Sequence, residues 1–143
     1  MHNFLEKAAS DSMTRDVKTV ARGLTMHELG DLFARDDFNS YPVEEHARIV
    51  GIVSKFDYLS NFIFTPAHMV PRYDDLMKRT VADVMISDFI YVGTETKLTR
   101  VLQLMVDHRI RSIPVIASDQ RLVGMIARED VMRAMQSCAN RSG

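Results

Sequence analysis

The chain has 143 residues, of which 46% are hydrophobic and 26% charged, and its formal net charge is −1. It is long enough for one well-buried core or for two small units that share one, and its composition is that of an ordinary globular protein. The near-zero charge and the scattered basic residues argue against nucleic-acid binding. No apolar run approaches the roughly 20 residues needed to span a bilayer, and the single cysteine, Cys138, excludes an internal disulfide and fits a reducing compartment. We therefore expect a cytoplasmic protein that binds neither nucleic acid nor membrane.

The first third of the chain predicts a strand, a helix, two strands and a second helix. The first helix has capping-box spacing at its start, with Thr25 followed by Glu28, and a longer loop is expected before Tyr41. The second helix is predicted to begin near Asp57, to run through Phe62 and Phe64, and to stop before Pro66, because the residue before a proline disfavours helix. The apolar positions that carry the first strand and helix are Val17, Val20, Leu29, Leu32 and Phe33.

A connector follows, punctuated by Pro66 and Pro71. It is more apolar than a simple linker needs, which leaves two interpretations open: packing on a neighbouring part of the chain, or a subunit interface. The apolar residues concerned are Phe62, Ile63, Phe64 and Met69.

The last third repeats the first pattern more clearly. Residues 89–92 are rich in β-branched and aromatic side chains, so they predict a strand. A helix follows, because Leu98, Val101, Leu102 and Met105 are spaced i, i+3, i+4 and i+7. Residues 113–116 and 122–126 predict two strands joined by a polar turn at 118–121, and a helix is predicted around 130–135.

The two regions are copies of one pattern. Pro42 and Pro114 lie 72 positions apart (114 − 42), and the aspartates that close the Gly-to-Asp runs, Asp57 and Asp130, lie 73 apart (130 − 57). The runs are Gly51-Ile52-Val53-Ser54-Lys55-Phe56-Asp57 and Gly124-Met125-Ile126-Ala127-Arg128-Glu129-Asp130. Upstream, Asp11-Ser12-Met13 matches Asp83-Val84-Met85. The duplication predicts two similar units, and the seam between them is where a ligand is expected.

This ordered set of motifs, occurring twice at one spacing, resembles a tandem pair of cystathionine-β-synthase (CBS) domains, also called a Bateman module. The resemblance covers about residues 11–59 and 83–136. It implies an α/β (α+β) fold of two CBS-type repeats, each a small three-stranded sheet with two packed helices, related by a pseudo-twofold axis. We expect CBS repeat 1 with an N-terminal helix over 1–65, a connector over 66–79 and CBS repeat 2 over 80–143.

The resemblance also implies a function. In such pairs an adenine nucleotide, or a related adenosyl ligand, occupies a cleft between the repeats and acts as a regulatory ligand, so no cofactor and no enzymatic activity are expected. The aspartate holds the ribose, the Ser or Thr three residues earlier contacts phosphate, and the opposite repeat supplies the other wall. Arg111 is the preferred phosphate ligand because a guanidinium can bind two oxygens at once, and Lys55 is a second candidate. The residues expected at this site are Ile52, Ser54, Lys55, Asp57, Phe89, Ile90, Ile110, Arg111, Ser112 and Pro114.

A second, weaker site is expected at the other copy. Ala127 stands where the family has a hydroxyl, although Asp130 is present and Arg128 offers a compensating charge. The residues of this site are Val17, Lys18, Asn39, Ser40, Met125, Arg128 and Asp130.

Several alternatives remain open. Ser54 and Asp57 also form an ordinary helix-capping pattern, and Arg111 is equally read as a solvated surface arginine. A ligand-free dimerisation or interaction scaffold, or a sensor of an S-adenosylmethionine-type ligand, would fit the same repeats. Neither a phosphate-binding glycine loop nor a dinucleotide-binding motif occurs, and the five histidines show no metal-ligand spacing. The expected partners are an adenosine nucleotide, a second copy of the chain in a homodimer, and an unidentified regulated protein.

Overall fold

The computed structural model describes residues 2–63 and 73–142, without the side chains of His2 and of residues 140–142. Its contacts divide the chain into two compact units. We call Lys18–Phe89 the central unit, and Met1–Val17 together with Ile90–Gly143 the terminal unit. The predicted ranges 1–65, 66–79 and 80–143 follow the sequence repeat and remain predictions. Phe64 and much of the predicted connector, with Pro66, Met69 and Pro71, lie outside the described residues.

The secondary structure mixes helices and strands, which confirms the α/β fold class. The elements are α1 (His2–Glu6), α2 (Ala9–Ser12), β1 (Val20–Ala21), α3 (Met26–Arg35), β2 (Ser40–Glu45), β3 (Arg48–Ser54), α4 (Lys55–Ser60), α5 (Tyr73–Lys78), α6 (Val81–Val84), α7 (Leu98–His108), β4 (Ser112–Ile116), β5 (Leu122–Ala127) and α8 (Arg128–Ser142).

The central unit has a three-stranded sheet of order β1-β2-β3. β1 runs parallel to β2, with Val20 opposite Val43, and β2 pairs with β3 in antiparallel fashion. The capping box predicted for α3 is confirmed, because Thr25 Oγ1 accepts from the Glu28 amide at 3.2 Å and the Thr25 amide donates to Glu28 Oε1 at 3.2 Å. The core residues are Val20, Met26, Leu29, Tyr41, Val43, Val53 and Val81.

The predicted extension of α4 through Phe62 is wrong, because the helix ends at Ser60. The next residue, Asn61, is only 6% exposed. Its side-chain amide donates to the Leu76 carbonyl at 3.1 Å and accepts from Arg79 Nη1 at 2.8 Å. Past Ser60 the backbone bonds tighten to the i−3 pattern, with the Phe62 amide bound to the Leu59 carbonyl at 3.0 Å. The buried Asn61 side chain therefore stabilises a turn at the position where the sequence predicts that the helix continues.

The terminal unit has a two-stranded antiparallel sheet, β4-β5, which contacts α7 and α8, and α1 packs on those two helices. The predicted strand at 89–92 shrinks to a single parallel bridge between Val92 and Val115. Directly after Val92 the chain turns, since the Gly93 amide donates to Thr96 Oγ1 at 3.0 Å. The core residues are Phe4, Ala9, Val92, Leu98, Val101, Met105, Ile113, Val115, Ile126, Val131, Ala134 and Cys138.

The two Asp-x-Met segments pack on the sheet of the opposite sequence repeat. Thr14 and Met125 exchange two backbone hydrogen bonds, of 2.8 and 2.9 Å, within the terminal unit. Ile52 and Ile86 do the same in the central unit, at 2.9 and 2.8 Å. Each unit is therefore built from one repeat's sheet and the other repeat's opening segment.

Candidate functional site

The carboxylate of Asp57 is held at one oxygen by the turn that links β3 to α4. Asp57 Oδ2 accepts from the Ser54 amide at 2.8 Å and from Ser54 Oγ at 3.0 Å. In return, Ser54 Oγ accepts from the Asp57 amide at 3.1 Å. Oδ1 accepts no hydrogen bond from the part of the chain that the structure describes. Asp57 can therefore cap helix α4 through Oδ2 and still accept a hydrogen bond from a ligand through Oδ1.

Polar residues of the neighbouring strand lie beside this turn. Ser40 is paired with Ser54 across β2 and β3. The Lys55 amide donates to the Asn39 carbonyl at 2.9 Å. The central unit thus brings together Ser54, Lys55 and Asp57 of the first predicted site with Asn39 and Ser40 of the second.

The predicted role of Lys18 is weakened by an ion pair within the same unit. Lys18 Nζ lies 3.0 Å from Asp36 Oδ2, and Asp36 also accepts from the Tyr41 hydroxyl at 2.8 Å. These contacts lower the pKa of Asp36, with the Tyr41 hydrogen bond as the largest cause and the Lys18 hydrogen bond next. A phosphate would have to compete with that carboxylate for Lys18.

The equivalent turn in the terminal unit differs at its carboxylate. Asp130 Oδ2 accepts from the Ala127 amide at 2.8 Å, as in the first copy. Its other oxygen, Oδ1, accepts from Arg133 Nη1 at 3.1 Å. Both oxygens of Asp130 are therefore engaged. Sequence reasoning missed Arg133, although its i+3 spacing from Asp130 on a helix is the available signal.

Arg111, which directly precedes β4, is bonded through its backbone to Arg128 at the first turn of α8. The Arg128 amide donates to the Arg111 carbonyl at 2.9 Å, and Arg128 Nε lies 3.2 Å from Glu129 Oε1. A backbone hydrogen bond is the largest cause of a lowered pKa at Glu129, and Arg128 and Arg111 add to it. The Arg111 side chain is exposed and makes no hydrogen bond or ion pair within 2–63 and 73–142, so its charge is available to an anion.

The other predicted residues divide between the units. The central unit holds Ile52, which pairs with Pro42 and Ile86, and Phe89 at its last position. The terminal unit holds Val17, Ile90, Ile110, Ser112, Pro114 and Met125, of which Ser112 pairs with Ala127 and Pro114 with Met125. Each predicted site thus draws on residues of both units, and its assembly remains a prediction.

No group of three or more His, Cys, Asp or Glu side chains in the described ranges is arranged to hold a metal ion. None of the helices in those ranges has the length and apolar character needed to traverse a bilayer.

The family follows from a direct match. The CBS domain model matches residues 9–63 and 81–137, which together make up most of the chain. The chain belongs to the CBS domain family. The resemblance stated above on the repeated motifs is therefore confirmed as a tandem CBS pair.

Three similar proteins illustrate the family. CBS domain-containing protein CBSX3, mitochondrial, of Arabidopsis thaliana is 36% identical over 121 residues, covering 83% of this chain and 52% of that protein. CBSX2 of the same plant, in complex with AMP, superposes with a TM-score of 0.77 at 22% identity and covers 92% of this chain and 98% of that one. The cytosolic domain of the Mg²⁺ channel MgtE, in complex with ATP, superposes with a TM-score of 0.71 at 25% identity. The match covers 90% of this chain and 48% of that one. The chain spans about half the length of the first curated relatives it matches.

Proposed function

We propose that this CBS pair is a regulatory module that binds an adenosine nucleotide at the Ser54–Asp57 turn. The observation that carries the proposal is the state of the Asp57 carboxylate, with Oδ2 fixed by Ser54 and Oδ1 open. The AMP complex of CBSX2 and the ATP complex of the MgtE domain support the ligand class. AMP, ADP and ATP are the favoured ligands, and S-adenosylmethionine is the alternative of the same adenosyl class.

The geometry of the turn suits a ribose. Because the capping box fixes the carboxylate before any ligand arrives, little rotamer freedom is lost on binding. A ribose hydroxyl can donate to Asp57 Oδ1 while Oδ2 keeps its bonds to Ser54. Arg111 and Lys55 are the proposed phosphate ligands, since neither side chain is bound to a carboxylate within the described residues. The remaining proposed contacts are Ile52, Phe89, Ile90, Ile110, Ser112 and Pro114.

Regulation would act through a population shift. A nucleotide changes the affinity for a regulated protein only by its differential affinity for two arrangements of the module. This role needs no catalytic group and no cofactor, so we propose that the chain is not an enzyme. We also propose that it acts in the cytoplasm.

The decisive experiment is isothermal titration calorimetry with AMP, ADP, ATP and S-adenosylmethionine. Asp57→Ala is the test variant and Asp83→Ala its matched control. The Asp83 carboxylate makes the same two contacts with Thr80, at 3.0 Å to the amide and 3.3 Å to the hydroxyl, but belongs to no proposed site. Both variants lose one cap of the same kind, so their melting temperatures should fall by similar amounts.

The two variants should differ in affinity. Losing a hydrogen bond to a charged group is worth about 1.5–3 kcal/mol, so Asp57→Ala should weaken nucleotide binding about 10- to 100-fold. Asp83→Ala should bind as the wild type does. The proposal fails if none of the four ligands binds below millimolar concentration, or if both variants bind equally well.

A ligand-free dimerisation scaffold is the second candidate function. Phe56 and Leu59 on α4 are 77% and 64% exposed, and apolar residues this exposed and this close together are typical of interaction surfaces. We propose that these residues contact a second copy in a homodimer. Sedimentation equilibrium of the Phe56→Ser/Leu59→Ser variant should then show a monomer where the wild type is a dimer. A scaffold without a ligand predicts no rise in melting temperature with nucleotide, whereas ligand at 100 times its dissociation constant adds about 2.7 kcal/mol.

A further inference from the structure

The two aspartates that end the Gly-to-Asp runs have different surroundings. Asp57 and Asp130 lie 73 positions apart, and each accepts a backbone hydrogen bond of 2.8 Å through Oδ2. Three residues later the copies diverge, since Ser60 follows Asp57 and Arg133 follows Asp130. The Ser60 hydroxyl turns back to the Phe56 carbonyl at 2.9 Å. The Arg133 guanidinium instead binds Asp130 Oδ1 at 3.1 Å.

We propose that Arg133 is an internal occupant of the second site, so that the chain binds one adenosine nucleotide and not two. The Arg133 guanidinium takes the carboxylate oxygen that Asp57 keeps open in the other copy. The inference rests on the proposed function, because it assumes that the open oxygen of Asp57 is the ribose acceptor.

The Asp130–Arg133 ion pair is difficult to displace because its carboxylate is nearly buried. The Asp130 side chain is 9% exposed and the Arg133 side chain 73%. A nearly buried carboxylate has few alternative donors, so losing its cation costs more than losing a surface partner. A ribose hydroxyl carries no charge, whereas the guanidinium is a cation, so the exchange would give up the Coulomb attraction between the two charges and gain only a hydrogen bond. Exchange of the guanidinium for a ribose is therefore unfavourable.

Two further features act in the same direction but are weaker. Ala127 lacks the hydroxyl that Ser54 offers, and Arg128 forms an ion pair with Glu129, with Nε 3.2 Å from Oε1. Glu129 is exposed, so an incoming phosphate can displace it from Arg128 at little cost. The missing hydroxyl removes one contact, whereas Arg133 blocks the acceptor itself. We therefore assign the closed state of this site to Arg133 and not to Ala127.

The repeat supplies the test, because each copy holds the residue that the other lacks. Arg133→Ser gives the second copy the residue of the first, and Ser60→Arg does the reverse. Ala127→Ser restores only the hydroxyl. The probe is AMP, titrated into each full-length variant by calorimetry, with circular dichroism and thermal unfolding to confirm that every variant folds.

The expected stoichiometry is one AMP per wild-type chain, one for Ala127→Ser and two for Arg133→Ser. In Ser60→Arg the new guanidinium lies at the same i+3 spacing from Asp57, so binding at the first site should weaken about 10- to 100-fold. Asp57→Ala in the Arg133→Ser background should leave one site at full affinity and weaken the other about 10- to 100-fold, since only the newly opened site keeps its aspartate.

Four results would overturn the inference. Two AMP molecules on the wild-type chain would mean that Arg133 does not close the second site, and the proposed function would survive. Two on Ala127→Ser, or one on Arg133→Ser, would assign the closure to another group. No AMP on the wild-type chain would remove the proposed function and this inference together.

Discussion

Met13 lies directly over Gly124. A Cβ atom placed on Gly124 would be 2.7 Å from the Met13 sulfur and 2.8 Å from the Thr14 carbonyl oxygen. The other unit repeats the relationship, since a Cβ on Gly51 would be 2.8 Å from the Met85 sulfur and 3.0 Å from the Ile86 carbonyl oxygen. The glycine of each Gly-to-Asp run is therefore the point where the methionine of an Asp-x-Met segment packs against the sheet.

Substituting Gly124 with alanine is expected to destabilise the protein by about 1–3 kcal/mol, the usual cost of overpacking. The methionine sulfur can move aside, but the Thr14 carbonyl cannot, because it accepts a 2.9 Å hydrogen bond from the Met125 amide. Urea unfolding measures the change. Gly23→Ala is the matched control, since a Cβ there meets nothing within 4 Å, and its stability should stay within about 0.5 kcal/mol of the wild type. Equal effects at the two glycines would contradict the packing argument.

Two local features, the start of α7 and the cap of α3, were predictable from the sequence. Helix α7 begins at Leu98, where the apolar stripe begins, and the cap of α3 forms between Thr25 and Glu28. Each of these features depends only on residues within one or two helical turns of each other, so the local sequence is enough to predict it. The contact between Met13 and Gly124 joins residues 111 positions apart (124 − 13), and no local pattern encodes it. Sequence order alone placed Met13 with the repeat that follows it.

The two aspartate turns were predictable from the sequence, but the surroundings of the second oxygen of each carboxylate were not. The repeated pattern identified Asp57 and Asp130 as equivalent positions, and the missing hydroxyl at Ala127 distinguished them. Whether a carboxylate keeps one oxygen open, as Asp57 does and Asp130 does not, depends on side-chain rotamers, which the repeat does not encode. Arg133 decides the difference between the two sites, yet it lies outside every motif that defined them.

The hairpin between β2 and β3 predicts a stabilising substitution. Its two turn residues, His46 and Ala47, have φ of 52° and 62°, and the flanking residues Glu45 and Arg48 are paired. Two-residue hairpins with positive φ at both positions strongly prefer glycine or asparagine, because other L-residues pay a steric cost there. Ala47→Gly should raise the free energy of unfolding by about 0.5–1 kcal/mol, less than the full steric relief because glycine loses more entropy on folding.

Ala34 in helix α3 provides the control for that substitution. It is also an exposed alanine, but it lies in the last turn of a regular helix, where glycine costs up to about 1 kcal/mol. The two Ala-to-Gly variants should therefore shift the urea midpoint in opposite directions. A lower midpoint for Ala47→Gly would show that the turn does not strain alanine.

A third prediction concerns the pH dependence of stability, through Tyr41 and Asp36. The buried Tyr41 hydroxyl donates to Asp36 Oδ2 at 2.8 Å. This bond is the largest cause of the lowered pKa of Asp36. Burial, followed by the bond to Asp36, raises the pKa of Tyr41, so the hydroxyl stays a donor at every pH considered below.

The sign follows from linkage. In the unfolded chain Asp36 titrates near its ordinary value of 3.8, and in the folded protein it titrates lower. The unfolded state therefore binds more protons between those two values, and stability falls as the pH is lowered through them. The contribution of the Tyr41 bond to the carboxylate is present above about pH 4 and is lost below it.

Tyr41→Phe is expected to destabilise the protein most at pH 7 and less at pH 3. Part of the loss should persist at pH 3, because the hydroxyl also lies 3.1 Å from the Leu32 carbonyl. Urea unfolding of wild type and variant at the two pH values measures the difference. In an Asp36→Asn background the effect of Tyr41→Phe should be the same at both, because position 36 no longer titrates. A Tyr41→Phe effect that is equal at pH 7 and pH 3 with Asp36 intact would show that the hydrogen bond does not set the titration of Asp36.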